Sequence, residues 1–263
     1  MSEIYIIINQ SVWITDYKMH GGIIGIFEIR GCHGDGGFFV LEKGENMKVV
    51  ALIPIKLGSV RIPGKNIKPF FDGTPLMYFI QKACLDAKNI DEVYVYCSDD
   101  SVKEYILPGV KYLKRPKYLD GDNINANDFI REFISDVDAD IYVNAHTTSP
   151  FAKTETIEEL VDKVASGEYD SAFCAEAIKT FMWENGKPLN FNPDNFPRTQ
   201  DLPLIYGETS IAYVFTKESF IKHNRRLGSN PFVKEVGKIE AMDIDYPEDF
   251  DICNAIYKEL IKK

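Results

Sequence analysis

The loop KLGSVRIPGKNIKP (56–69) is the part of the sequence best suited to chemistry, because it concentrates cations and glycines. Its cations are Lys56, Arg61, Lys65 and Lys68. Glycines let backbone N–H groups approach phosphate oxygens closely, and the cations offset the negative charges of a polyphosphate. The spacing differs from the Walker pattern GxxxxGK[ST], because Asn66 follows Lys65. The loop therefore predicts phosphate binding outside the P-loop ATPases, with a solvated basic loop as the alternative.

A pair of carboxylates in the segment MDIDYPED (242–249) is the second feature that could do chemistry. We predict a strand over 238–245, and side chains two residues apart on a strand lie on the same face. Asp243 and Asp245 could then share a hard cation, because such ions prefer oxygen ligands. By itself, the pair is equally typical of an ordinary acidic surface.

Alternating strand and helix patterns from Lys48 onward define the elements that must position these groups. The predicted strands are 49–55, 92–98, 140–146, 171–178, 211–216 and 238–245. The predicted helices are 74–87, 127–137, 154–166 with Thr154 as its N-cap, and 247–262. The alternation predicts an α/β fold with a mostly parallel sheet and helices on both faces. Ligands of such sheets bind beyond the carboxyl ends of the strands, and the cationic loop follows the first strand.

Two segments fall outside this alternation. Residues 1–46 contain short apolar runs separated by polar residues. They are either a β-rich appendage or an upstream extension added by a misplaced start codon, and 47–263 is the predicted main domain. Within that domain, 181–210 is rich in Asn, Pro and aromatic residues, which favours a β-arm or a lid.

The composition argues against several classes of protein. The 263 residues carry a formal net charge of −10, which does not suit a protein that grips a nucleic-acid backbone. No apolar run approaches the roughly 18 residues of a membrane span, and there is no basic signal-peptide region. The five cysteines are scattered and never form a CxxC pair, which argues against a zinc site or a disulfide framework. The sequence therefore predicts a soluble protein of the reducing cytoplasm.

The segment IPIKLGSVRIPGKNIKPF (53–70) resembles the N-terminal signature IPARxGSKRxPGKN of the acylneuraminate cytidylyltransferases, the CMP-sialic acid synthetases and their CMP-sugar relatives. The resemblance implies the Rossmann-like fold of the nucleotide-diphospho-sugar transferases, and it extends over residues 49–255. Lys56 stands where the family has Arg, and Val60 stands where it often has Lys. Lys56 keeps the charge but loses the bidentate geometry of Arg toward phosphate.

Other segments resemble the same family and carry its implied roles to individual residues. They are LKRPKYLDGD (113–122), AHTTSPF (145–151), PRTQDLPLIYGETSIAYVF (197–215) and MDIDYPED (242–249). The resemblance implies nucleotide contacts at Lys56, Gly58, Ser59, Arg61, Lys65, Asn66, Arg115 and Asp122. It implies sugar contacts at His146, Thr148, Ser149, Arg198 and Glu208. It also implies that Asp243 and Asp245 bind Mg²⁺ or Mn²⁺. The catalytic residues that it implies are Lys65, Arg61 and Asp245.

The function implied by the resemblance is Mg²⁺-dependent transfer of CMP from CTP to an acidic sugar, a sialic acid-like nonulosonate, with release of pyrophosphate. The family also implies a homodimer, in which 181–210 reaches a partner subunit. His146, Thr209 and Ser210 depart from the family's residues on the sugar side, so we expect an acceptor other than N-acetylneuraminate. The alternatives are a DxD glycosyltransferase that uses a nucleotide-sugar donor and a non-catalytic nucleotide-binding homologue.

Overall fold

The computed structural model describes residues 4–8, 11–15, 26–29, 37–40, 47–121 and 123–262. The chain divides into two units, Met1–Met47 and Lys48–Lys263. In the first unit, strand β1 (Ile4–Ile8) pairs antiparallel with β2 (Ser11–Thr15), and β3 (Ile26–Ile29) pairs antiparallel with β4 (Gly37–Val40). The β-branched and aromatic residues of these segments suit strands. Whether this unit is an appendage or an upstream extension stays a prediction.

The second unit contains the remaining strands and the helices. The strands are β5 (Val49–Ile55), β6 (Glu92–Cys97), β7 (Lys111–Lys114), β8 (Ile141–Ala145), β9 (Ser171–Ile178), β10 (Trp183–Glu184), β11 (Lys187–Pro188), β12 (Ile205–Thr216) and β13 (Pro231–Val236). The helices are α1 (Leu76–Asp86), α2 (Ala126–Asp136), α3 (Thr154–Ala165), α4 (Lys217–His223) and α5 (Pro247–Ile256), which continues into a π-helical turn over Tyr257–Ile261. Within the described ranges, a helix with the length and apolar character to cross a bilayer is absent.

Seven of these strands form one sheet in the order β13-β9-β12-β8-β5-β6-β7. All neighbours in it run parallel except β12, which is antiparallel to both β8 and β9. Strands β10 and β11 form a separate hairpin, the small β-arm. The carboxyl ends of β5, β6 and β8 consequently lie at one edge of the sheet, where the fold class places its ligands.

Apolar side chains pack on both faces of this sheet. Alternate residues of β5 enter two different clusters. On one face, α1 and α3 contribute Met77 and Leu160, and on the other face, α2 and α4 contribute Phe133 and Phe220. Each such side chain, when fully buried, stabilises the fold by about 1.5–3 kcal/mol relative to exposure. The predicted α/β architecture, mostly parallel with helices on both faces, is confirmed.

Two predicted details are wrong. The segment 238–245 is a turn followed by extended chain, and the edge strand is the preceding β13. Its alternating apolar residues mimic a strand because Ile244 is buried against the core while its neighbours are polar. Thr154 does not cap α3, since Lys153 occupies the N-cap position without a side-chain hydrogen bond. The Thr154 hydroxyl donates instead to the carbonyl oxygen of Ala83 at 3.2 Å.

Candidate active site

Two buried isoleucines bring the cationic loop against the segment that carries the paired carboxylates. Ile62 and Ile244 share one apolar cluster with Phe250. Gly64 has a φ of 65°, a left-handed conformation that glycine adopts without steric cost, and it leads into a 3-10 turn that begins at Lys65. Lys65 Nζ then donates to the carbonyl oxygen of Ile244 at 2.6 Å. The loop after β5 is therefore clamped to the carboxylate segment.

Arg61 and Lys65 both meet the carboxylate of Asp245. Arg61 Nη2 lies 2.8 Å from Asp245 Oδ1, and Lys65 Nζ lies 3.7 Å from the same oxygen. The Arg61 guanidinium also lies 5.0 Å from the centroid of the Tyr246 ring. Tyr246 and Asp245 raise the pKa of Arg61, whereas burial lowers the pKa of Lys65 against the opposing attraction of Asp245. One exposed and one half-buried cation are thus held together, which suits an anionic ligand.

Asp243 lies beside this group with one oxygen unsatisfied. Its Oδ2 accepts from Ser210 Oγ at 3.4 Å, and its Oδ1 is buried without a partner among the atoms that the structure describes. Burial raises the pKa of Asp243 against a hydrogen bond from Thr148, with the like charge of Asp245 adding to the rise and Lys65 opposing it. A buried carboxylate oxygen without a partner costs free energy, and a bound cation would remove that cost.

The two carboxylates suit Mg²⁺ bound together with a phosphorylated ligand. Mg²⁺ is usually held by one or two carboxylates, and substrate phosphates and water complete its coordination. In the described part of the chain, no group of three or more His, Cys, Asp or Glu side chains could hold a metal alone. Asp243 and Asp245 could hold such an ion together with substrate phosphates and water. Their proximity comes from the anchored loop around Ile244, since the predicted strand is absent.

A cavity of about 260 Å³ opens at the carboxyl ends of β5 and β8. It is lined by Pro54, Lys56, Ser59, Lys65, Asn66, His146, Thr147 and Thr148. Thr147 Oγ1 donates to Asn66 Oδ1 at 2.6 Å, and Asn66 Nδ2 donates to the carbonyl oxygen of Lys56 at 3.0 Å. The Asn66 side chain therefore fixes the loop to the end of β8, while Ser59 and Lys65 line the cavity beside it.

A second cavity of about 510 Å³ lies beyond β5, β6 and β7 and shares Lys56 with the first. Its lining includes Lys56, Gly58, Ser98, Asp100, Lys114 and Asp120. Asp120 orders this wall, because its carboxylate accepts from Arg115 Nη2 at 2.5 Å and from the Ser98 hydroxyl. The Asp120 carbonyl oxygen also accepts from Lys56 Nζ. The sequence points instead to Asp122, which lies outside the described residues.

A polar cluster borders the first cavity on the side of His146. Tyr213 donates to Glu208, and the Arg226 guanidinium lies 3.4 Å from the centroid of the Tyr213 ring. The His146 ring lies 5.8 Å from that of Tyr213, and its Nε2 lies 3.1 Å from Asn144 Nδ2. Burial lowers the pKa of His146 to about 3, and the charge of Arg226 contributes. His146 is therefore a neutral imidazole near pH 7. It can donate and accept hydrogen bonds, but it carries no positive charge.

A family model described as Cytidylyltransferase matches residues 50–262. The chain belongs to this cytidylyltransferase family. The match includes the cationic loop 56–69 as well as Asp243 and Asp245, so it covers the elements that build the site. The family resemblance seen in the sequence is thereby confirmed.

Several related proteins are enzymes named for acidic sugars. The N-acylneuraminate cytidylyltransferase of Streptococcus agalactiae serotype V is 25% identical over 215 residues, covering 78% of this chain and 52% of that protein. The pseudaminic acid cytidylyltransferase of Campylobacter jejuni subsp. jejuni serotype O:2 is 24% identical over 226 residues, covering 81% of this chain and 97% of that protein. The chain thus spans about half the length of the N-acylneuraminate cytidylyltransferases that it matches.

Solved structures share the fold. The structure of CMP:2-keto-3-deoxy-manno-octonic acid synthetase complexed with CTP matches with a TM-score of 0.63 at 20% identity, covering 81% of this chain and 99% of that one. The 4-diphosphocytidyl-2C-methyl-D-erythritol synthase from Anaerococcus prevotii DSM 20548 matches with a TM-score of 0.56 at 13% identity, covering 81% of this chain and 97% of that one. At these identities, the likeness supports the Rossmann-like fold alone.

The residues predicted to contact the sugar lie in different surroundings. Ser149 is fully buried. Arg198 is exposed and pairs with Asp201 at 2.7 and 3.1 Å. Thr209 is buried, and its hydroxyl donates to the carbonyl oxygen of Cys174 at 3.0 Å within the sheet. The residues that lie at the first cavity or in the cluster beside it are His146, Thr148 and Glu208.

Three residues at the site escape the sequence patterns. Asp120 lies in a segment whose resemblance points to Asp122, two positions away. Tyr213 looks like one more apolar residue of a strand. Arg226 follows α4 outside any motif, and its only local signal is the pair of adjacent arginines, Arg225 and Arg226.

Proposed function

We propose that this chain is a Mg²⁺-dependent cytidylyltransferase, which transfers CMP from CTP to an acidic sugar and releases pyrophosphate. The observation that carries the proposal is the meeting of Arg61 and Lys65 with Asp245, beside Asp243, whose buried Oδ1 has no hydrogen-bond partner among the described residues. Phosphate-binding cations and carboxylates fit for a metal are thereby combined at the carboxyl edge of the sheet. The names of the related proteins support CTP as the nucleotide and acidic sugars as acceptors.

In this reaction, the anomeric hydroxyl of the sugar acid attacks the α-phosphorus of CTP in line. The bond from the α-phosphorus to the bridging oxygen breaks, pyrophosphate leaves with the electron pair, and the proton of the attacking hydroxyl passes to solvent. Catalysis then depends on positioning and charge stabilisation more than on covalent chemistry. Lys65 and Arg61 would neutralise the phosphate oxygens as negative charge shifts to the leaving group. The half-buried Lys65 can do so without moving, because its ammonium is already held by the Ile244 carbonyl.

Asp243 and Asp245 would hold Mg²⁺, with Mn²⁺ as a substitute. The ion would supply positive charge at the α-phosphate and lower the pKa of the attacking hydroxyl. Support comes from the buried, unpaired Oδ1 of Asp243, which a hard cation would satisfy. Ser210 donates to the other Asp243 oxygen and so orients that carboxylate.

For the acceptor, we propose a modified nonulosonate or another acidic sugar in preference to N-acetylneuraminate. His146 and Ser210 support this choice, because both depart from the family's residues and both lie at the site. Thr209 does not support it, since its hydroxyl is used within the sheet. A site built from hydrogen-bonding groups discriminates strongly against sugars that leave those groups unpaired.

We also propose a cytoplasmic location. The four cysteines that the structure describes are buried free thiols, namely Cys84, Cys97, Cys174 and Cys253. Burial raises the pKa of Cys84, Cys174 and Cys253 to about 12, so these thiols stay protonated and unreactive. Such thiols suit a reducing compartment.

The test is pyrophosphate release from CTP across a panel of acidic sugars, with Mg²⁺ and with excess EDTA. We expect release with at least one nonulosonate, its loss in EDTA, and severe loss in Asp243→Asn and Asp245→Asn, since an amide is a weaker ligand for a hard cation. Asp251→Asn, an exposed change on α5, is the matched control. CTP binding without pyrophosphate release would favour the non-catalytic homologue. Cleavage of a nucleotide-sugar donor instead would favour the glycosyltransferase.

A further inference from the structure

The turn after α4 holds Arg226 in a defined position. Asn224 ends the helix with a φ of 51°, and its Oδ1 accepts from Arg131 Nη2 at 2.6 Å. Farther along, the carboxylate of Asp170 accepts from the backbone N–H of Ser229 at 2.7 Å. A Cβ added at Gly228 would clash with that same carboxylate, so only glycine permits the approach. Arg226 therefore projects from a turn that is fixed at both ends.

The guanidinium of Arg226 keeps its hydrogen-bond donors available. It stacks on the Tyr213 ring at 3.4 Å from the centroid, which fixes its plane. Its Nη2 lies 3.7 Å from Glu208 Oε1, beyond hydrogen-bond distance. Among the described residues, no hydrogen bond is made by this side chain, which is 24% exposed. A half-buried, oriented guanidinium with free N–H groups suits bidentate binding of a carboxylate.

Arg226 belongs to the same neighbourhood as the reaction centre. The Tyr213 ring connects it to His146, which lines the first cavity. The charge of Asp243 also acts on the Tyr213 hydroxyl, so the ring lies within electrostatic reach of the proposed metal ligand. Arg61 is already paired with Asp245, whereas Arg226 has no such hydrogen-bonded partner in the described chain.

We propose that Arg226 binds the carboxylate of the sugar acceptor and is the residue that makes this site selective for acids. The proposal rests on the proposed function, because it assumes an acidic acceptor at this edge of the sheet. Arg198 is a poorer candidate within this chain, since it is 72% exposed and already donates two hydrogen bonds to Asp201. Glu208 holds the Arg226 guanidinium near the Tyr213 ring through an ion pair at 3.7 Å.

The experiment is calorimetric titration of the full chain with acidic sugars, in the presence of CTP and excess EDTA so that no turnover occurs. The probes are N-acetylneuraminate, pseudaminic acid and 3-deoxy-manno-octulosonate, each compared with its own methyl ester. We expect the wild type to prefer at least one acid over its ester. Arg226→Gln should weaken binding of that acid by roughly 10–100-fold and leave ester binding unchanged, which is the loss expected for hydrogen bonds to a charged group.

Two further variants keep the result interpretable. Arg226→Lys should recover part of the affinity, because it keeps the charge without the planar fork. Lys222→Gln removes an exposed charge on α4 and should leave the preference for the acid intact. Equal preference for the acid in Arg226→Gln and the wild type would overturn this inference alone. Acid binding that depends on Arg226 without any pyrophosphate release under Mg²⁺ would instead overturn the proposed function alone.

Discussion

Lys65 is the residue in which the opposing forces of the site are most visible. Burial lowers its pKa, Asp245 and Asp243 raise it, and the charge of Arg61 lowers it again. Its Nζ nonetheless has a fixed position, because the Ile244 carbonyl oxygen accepts its hydrogen bond at 2.6 Å. A cation that is held before the reaction needs no reorganisation when charge develops on the leaving pyrophosphate.

Lys65→Ala should therefore abolish most turnover while the fold persists. Loss of one pre-positioned donor of this kind costs about 10²–10³-fold in kcat. The measurement is kcat for pyrophosphate release, with circular dichroism to confirm folding. Lys68→Ala is the matched control, because the Lys68 ammonium lies over the Phe250 ring and serves the loop's packing. More than half of wild-type activity in Lys65→Ala would refute the role of this loop.

His146 should make stability depend on pH. Its folded-state pKa is about 3, against an ordinary value of 6.5. Below the ordinary pKa, His146 is protonated in the unfolded chain but stays neutral in the folded chain. The free energy of unfolding therefore falls as pH drops toward 3. The slope is at most about 1.4 kcal/mol per pH unit, and the partial exposure of His146 to the cavity reduces it.

His146→Gln should remove this dependence, and His223→Gln on α4 is the control. We expect the wild type to lose about 1 kcal/mol more than His146→Gln between pH ~7.5 and ~5, measured by urea unfolding at each pH. Identical pH profiles for the wild type and His146→Gln would show that folding does not lower the pKa of His146.

At the scale of single elements, burial decides what the sequence could predict. Strands β5 and β9 match their predicted bounds, because both are apolar runs inside the sheet. The edge strands β7 and β13 escaped prediction, since KYLK and PFVKEV carry lysines on a sheet edge and lack a clear apolar period. The false strand over 238–245 has the opposite cause, because Ala241, Met242 and Ile244 pack against the core from a turn and loop and so imitate a strand pattern.

Site residues that lie in continuous motifs could be predicted from the sequence, whereas those brought in by packing could not. The cationic loop and Asp243 with Asp245 lie in continuous motifs, so the sequence could identify them. Asp120 and Arg226 come to the site through packing between distant segments, and no local pattern marks them. Asn66 was predicted to bind nucleotide, and its side chain is used to hold Lys56 and Thr147 in place.

The N-terminal unit should be dispensable for folding and turnover. Every strand of the seven-stranded sheet lies within Lys48–Lys263, and the described strands of the first unit pair only among themselves. A chain that starts at Met47 should fold and turn over normally, with a Tm within about 2 °C of the full chain, equivalent to less than ~1 kcal/mol. The measurement is calorimetric Tm together with kcat. A large fall in Tm on truncation would mean that the segment is integral to the domain.

For the whole molecule, the exposed aromatic arm is the feature that most needs a partner. Phe181, Phe191 and Phe196 pack together with ring centroids 4.8–5.0 Å apart. Phe196 itself and the nearby Trp183 remain 60% and 58% exposed. Large apolar surface of this kind marks interaction sites in soluble proteins.

We propose that this arm, within 181–210, forms a homodimer. Light scattering at micromolar protein should give twice the chain mass for the wild type, and the double variant Trp183→Ser with Leu189→Ser should shift toward the monomer. Ile221→Ser is the control, because Ile221 is 66% exposed on α4 and outside the arm. A monomeric mass for the wild type would contradict the proposal.

Transfer of CMP to a sugar, with pyrophosphate as the leaving group, can be followed directly in solution. The most direct measurement is ³¹P NMR of a reaction containing the wild-type chain, CTP, Mg²⁺ and an acidic sugar accepted in the panel. We expect the three CTP signals to be replaced by pyrophosphate and one phosphodiester signal in equal amounts, and we expect Asp245→Asn to leave CTP unchanged. Appearance of CDP with inorganic phosphate, or of free CMP without a sugar phosphodiester, would contradict this transfer.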